Sequence, residues 1–75
     1  MKFVVCISRK GFGEFSTEGL TPGRLYEVVA PADEHEMVRV IDDSGDSYLY
    51  PAALFASVEL SADTAARLHD VLIPA

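Results

Sequence analysis

Four groups of residues in this sequence have types and spacing that could do chemistry. The stretch Asp42-Asp43-Ser44-Gly45-Asp46 places side-chain oxygens at alternate positions, as a calcium-binding loop does. Such a loop needs Gly at its sixth position and a carboxylate at its twelfth. Counted from Asp42, those places hold Ser47 and Ala53. The stretch is therefore read as a tight hairpin turn in which Gly45 accepts a positive φ. Asp33-Glu34-His35-Glu36 could offer a metal carboxylates and an imidazole. Consecutive loop residues rarely converge on one ion, and transition-metal sites usually need two or more His or Cys. A solvated charged loop is the expectation, with no metal and no other cofactor.

Cys6, His35 and His69 could suggest a thiol nucleophile with a base. Cys6 sits in the middle of an apolar run, where low polarity raises a thiol pKa and makes it inert. A structural cysteine is expected, and no catalytic constellation remains. Gly11-Phe12-Gly13 lacks the following glycine and helix of a phosphate-binding loop. Phe12 and Phe15 in this glycine-spaced loop either tuck into the core or mark a contact surface, and the sequence leaves both open.

These residues must be carried by short strands. Lys2 to Ser8 reads as the first, rich in β-branched and aromatic residues. Phe3, Val5 and Ile7 share one face, and Val4 and Cys6 share the other. Both faces are apolar, so a second layer or another chain must cover the back of this strand. Residues 9–20 form a loop. In Leu20-Thr21-Pro22-Gly23, Pro pre-sets φ and Gly accepts φ > 0, which suits a type II turn. Arg24 to Ala30 is the second strand, with Tyr26 and Val28 on one face and Leu25, Glu27 and Val29 on the other. Pro31 ends it. Met37 to Asp42 and Ser47 to Tyr50 form the third and fourth strands around the hairpin turn. Pro51 stops the fourth, Ala52 to Phe55 suits one helical turn, and Ser57 to Leu60 is the fifth strand.

The tail changes period. Ala65, Leu68, His69 and Leu72 follow helical spacing, with Ser61 placed to cap and Asp63 in the first turn. The spacing predicts a helix over Ala62 to Leu72. A helix this short is not stable alone and must pack. The back of the first strand at Val4 and Cys6 is the expected seat.

Composition bounds the rest. The chain has 75 residues, enough for one domain over 1–75: a β unit over 1–60 and a helix within 61–73 packed on it. It is 49% hydrophobic, which argues for a folded globule. Cys6 is the one cysteine, so no internal disulfide can staple so small a core, and a reducing, cytoplasmic setting is expected. The apolar run Phe3 to Ile7 is too short for a membrane span or a signal peptide. Six basic residues face twelve acidic ones, a net charge of −6. That balance disfavours nucleic acid and anionic membranes as default partners.

The order of these pieces resembles the Src-homology-3-like small barrels. Phe3-Val4-Val5-Cys6-Ile7 looks like the family's first strand. Leu20 with Gly23-Arg24-Leu25-Tyr26-Glu27-Val28-Val29 resembles its diverging turn and second strand. Met37 to Asp42, Asp43 to Asp46 and Ser47 to Tyr50 look like its distal hairpin. Tyr50-Pro51-Ala52-Ala53-Leu54-Phe55 resembles the strand, proline and tight helical turn before its last strand. The implied fold is all-β, a five-stranded barrel with a short C-terminal α-helix. A looser resemblance, at fold level, links the chain to bacterial and phage Sm-like small barrels.

The family's peptide groove is only partly matched. Ile7-Ser8-Arg9 stands where its acidic-tyrosine motif belongs, the chain has no Trp, and Leu54 stands where a tyrosine is usual. Proline-rich peptides are therefore not the expected ligand. The expectation is a non-enzymatic interaction or assembly module that binds protein and self-associates. Its candidate surface is Met37, Leu49, Pro51 and Leu54, flanked by Phe12 and Phe15. The alternative is an Sm-like nucleic-acid-binding barrel, with Arg9, Lys10, Arg24 and Arg39 as contacts.

Overall fold

The computed structural model describes residues 2–9 and 18–72, so Lys10, Phe12 and Phe15 lie outside the described residues. The elements run β1 (Lys2–Cys6), β2 (Leu25–Ala30), β3 (Met37–Ile41), β4 (Ser47–Pro51), a 3-10 turn (Ala52–Leu54), β5 (Phe55–Val58) and α1 (Ala62–Leu72). The helix has its expected bounds. β1 stops at Cys6 rather than Ser8, and the last strand starts two residues before Ser57. Phe55 leaves the 3-10 turn with extended dihedrals, φ −128° and ψ 156°. Its ring then points inward, edge-on to Tyr26 at 6.2 Å and to Tyr50 at 6.3 Å.

The five strands form one antiparallel sheet in the order β4-β3-β2-β1-β5. β4 and β5 are not hydrogen-bonded to each other, so the sheet is open. It nevertheless curls. Strands lie about 4.8 Å apart, so the outer strands of a flat five-stranded sheet are separated by about 19 Å. Tyr50 and Phe55, on those two strands, have ring centres 6.3 Å apart. A register shift between Val28 and Ala30 in β2 supplies a local bend, as bulges do. One core fills the concave face, with Val4, Cys6, Tyr26, Val38, Val40, Tyr50, Leu54 and Phe55 contributed by all five strands and the 3-10 turn.

Two turns are tied together by the Asp43 carboxylate. The Arg24 amide donates to the Thr21 carbonyl at 3.1 Å with Gly23 at φ 85°, closing the Pro22-Gly23 turn. The β3–β4 turn closes when the Gly45 amide donates to Asp42 O and the Asp42 amide donates to Asp46 O, both at 3.0 Å. Gly45 has φ 91°, the left-handed residue that such a three-residue loop requires. Asp42 is only 5% exposed, and its carboxylate is fully engaged. Oδ1 accepts from the Ser44 amide at 2.9 Å and hydroxyl at 2.5 Å, and Oδ2 accepts from the Tyr50 hydroxyl at 2.7 Å. Asp43 reaches the other turn, accepting from Thr21 Oγ1 at 2.7 Å, from Tyr26 Oη at 2.8 Å and from Arg24. Gly19 packs against this network, since a Cβ there would stand 2.5 Å from Asp42 Oδ2 and 3.0 Å from Tyr50 Oη.

The helix is capped as its sequence demands, with the Thr64 amide donating to Ser61 Oγ at 3.1 Å. Its seat differs from the expectation. Val4 and Cys6 belong to the concave core, so α1 does not cover them. It meets the opposite face, where His69 Nδ1 lies 2.5 Å from Glu27 Oε1. Glu27 is the cross-strand partner of Phe3. Phe3 and Ala65 are buried, at 1% and 3% exposure, apart from the core cluster. Strand alternation explains this, because Phe3 points away from Val4 and needs its own cover.

Substituting Gly19→Ala should force the Asp42–Tyr50 pair apart and cost about 1–3 kcal/mol, the usual range for overpacking. Tyr50→Phe should cost about 1–3 kcal/mol by leaving Asp42 Oδ2 buried without its donor. Urea unfolding of both variants checks this. An unchanged midpoint for both would show that the pair is not needed.

Candidate functional site

The β3–β4 hairpin has an inner face and an outer one. Val38, Val40 and Tyr50 point into the core, so Met37, Arg39, Ile41, Ser47, Leu49 and Pro51 lie outside. The register sets Met37 opposite Pro51, Arg39 opposite Leu49 and Ile41 opposite Ser47. Across β3, the shifted register places Ala30 beside Arg39, with Val29 at the irregularity. Val29 is 52% exposed and Leu49 is 42% exposed, while Met37, Ile41 and Pro51 are half-buried. An apolar strip thus runs over the outer hairpin around one cation. Arg39 Nη1 donates to the Ser47 carbonyl at 3.2 Å, which lays the guanidinium along the start of β4.

Three residues of the expected surface, Met37, Leu49 and Pro51, come together here. Leu54 does not. It has 0% exposure and sits in the core, as the buried residue of the 3-10 turn, so it presents no surface to a partner. Val29 joins the strip although sequence reading did not single it out. The signal was its place on the same face as Glu27, which marked that face as the one away from the core. Tyr48 is 51% exposed on the same strand as Leu49.

β4 also presents a sheet edge. Among the described residues it pairs with β3 alone. The hydrogen bonds Asp42 N to Asp46 O and Ala52 N to Glu36 O bracket the ladder. Antiparallel pairs alternate between bonded and non-bonded. Tyr48 and Tyr50 therefore turn their amides and carbonyls to β3, and Ser47 and Leu49 turn theirs outward. Pro51, also outward, has no N–H to offer, a common way to limit an edge.

Among the described residues, two of the expected nucleic-acid contacts, Arg24 and Arg39, are held by partners within the chain. Arg24 pairs with Asp43 and lies 4.9 Å from the Tyr26 ring centre, and Arg39 binds Ser47. Arg9 is exposed. The thiol and the histidines are also apart. Cys6 is 1% exposed and its Sγ donates to Ser8 O at 3.3 Å on the core side. His69 is on the opposite face with Glu27, and His35 is exposed beside Glu34 at 3.6 Å. In the acidic loop, Asp33 Oδ1 accepts from the His35 amide at 2.8 Å and the Met37 amide at 3.1 Å. The Met37 bond leads in holding the Asp33 carboxyl below its ordinary value.

Burial pushes the Asp43 carboxyl up, but the donors Thr21, Tyr26 and Arg24 and the Arg24 charge outweigh it, leaving the carboxyl below its ordinary value. The stabilisation from this depressed pKa is complete above the unfolded value, about 3.9, and is lost as pH falls through the folded one. The urea midpoint should therefore drop between about pH 6 and about pH 2.5, and Asp43→Asn should drop less over that range. Equal pH slopes for the two proteins would remove Asp43 from the acid response. Cys6 should react with a thiol reagent only after denaturant is added, and prompt labelling of the native protein would contradict its burial.

Comparison of the chain with protein-family models, curated proteins and solved structures finds no match.

Proposed function

We propose that this chain is a non-catalytic interaction module, a Src-homology-3-like small barrel that self-associates through the outer face and free edge of its β3–β4 hairpin. The barrel reading is supported by the strand order, the bulge in β2, the 3-10 turn between β4 and β5, and the curl that brings Tyr50 to Phe55. The observation that carries the function is the strip of Val29, Met37 and Leu49 beside an edge whose Ser47 and Leu49 backbone groups face outward. Apolar side chains and a hydrogen-bonding edge at one place suit strand addition, where backbone bonds give affinity and alternate side chains give specificity.

A second copy is the favoured occupant. A two-fold axis at Leu49 would set two β4 strands antiparallel, joined by the Leu49 amides and carbonyls. Pro51 would limit the ladder at each end, giving a closed pair rather than a fibre. A core this small, with Cys6 unpaired, also gains from added buried area.

Light scattering over a micromolar concentration series tests the reading. The expected mass is that of a dimer, falling to the monomer mass in Leu49→Lys and Val29→Lys. A monomer at all concentrations would overturn self-association, as would a dimer untouched by both substitutions.

A further inference from the structure

A second surface lies at the open end of the curled sheet, on the face opposite the strip. There the structure has a pocket of about 110 Å³. Its floor is apolar and buried, made by Val4, Val38 and Phe55, with Val28 half-buried beside them. Its rim is exposed and includes Lys2 and Ala32. Lys2 is there for a geometric reason. It alternates with Val4 and Cys6, so it starts on the concave face, and its cross-strand partner is Val28, also in the pocket wall. Lys2 makes no ion pair among the described residues, although the chain carries twice as many acids as bases.

We propose that this pocket binds a short-chain aliphatic carboxylate, with the alkyl chain on Val4, Val28, Val38 and Phe55 and the carboxylate at the Lys2 ammonium. Size selects the class. Pockets for drug-sized ligands and cofactors span about 300–1,000 Å³, well beyond this one. A dry apolar cavity of about 150 Å³ takes benzene, so about 110 Å³ suits a chain of a few carbons. Charge selects the head group. An anion at Lys2 gains a partner at the wet rim, where the ammonium keeps its hydration, and an alkylammonium would be repelled there. Bare apolar complementarity would not distinguish an alcohol from an acid; the lysine does.

The test is a titration of the full chain with butyrate, with 1-butanol and butylamine as neutral and cationic isosteres, followed by backbone amide NMR shifts. Butyrate should give saturable shifts at Val4, Val28, Val38 and Phe55, with a Kd in the millimolar range expected for so few heavy atoms. Butylamine should give none. Lys2→Gln should weaken butyrate about two- to fivefold, the scale of one exposed ion pair, and leave butanol unchanged. Ala32→Trp, on the exposed rim, should block butyrate while the rest of the spectrum stays in place. The proposal falls if butyrate produces no saturable shift at the floor residues. It falls equally if butyrate binds Lys2→Gln as well as it binds the parent chain, or if butylamine binds as tightly as butyrate.

Discussion

A sheet of five strands, none longer than six residues, encloses a core only if it curls until its outer strands face each other. Everything else in this protein follows from that curl. The contact of Tyr50 with Phe55 joins the two ends of the sheet through side chains where no backbone ladder does. Tyr26, on the central strand, meets the same Phe55 ring and fixes the third side. Edge-to-face aromatic pairs contribute about 0.5–1.5 kcal/mol each beyond their buried area, so the cluster is a sizeable share of a marginal domain's stability.

The polar side of the same design is the acidic turn. Each of the three large aromatic anchors of the core has a separate task, and two of them carry hydroxyls. Those hydroxyls end at carboxylates, Tyr50 at Asp42 and Tyr26 at Asp43. Burial and the neighbouring Asp42 raise the Tyr50 phenol well above its ordinary value, so it stays a donor throughout the working pH range. Adjacent aspartates thus hold the β3–β4 turn to the strand below it and to the Pro22-Gly23 turn beside it. In this acidic stretch the Asp42 and Asp43 carboxylates serve as internal acceptors.

Curling also sorts the surfaces. The concave face is filled, and its open end leaves the small pocket with Lys2 at the mouth. The convex face is divided. Over β1 and β2 it is reached by the helix through His69 and Glu27, and over β3 and β4 it keeps the apolar strip. The two candidate surfaces are therefore on opposite sides of one sheet. Substitutions at Leu49 or Val29 need not disturb Lys2 and Ala32.

Much of this was legible in the residues themselves. The five strands, the hairpin glycine, the proline turn and the helix from Ala62 to Leu72 follow from period, capping and φ preference, which are local and act within a few residues. The double-sided apolar pattern of β1 also announced that its back needed cover, from a second layer or from another chain. Which layer went to which face was not legible, because alternation says only that Phe3 and Val4 point apart, and tertiary packing decides what meets each. The same limit placed Leu54 on a surface by resemblance when its 3-10 turn buries it. It also hid the Asp42–Tyr50 and Asp43–Arg24 partnerships and the pocket between Lys2 and Phe55. Those depend on residues far apart in sequence meeting across a curled sheet, and no local preference encodes that distance.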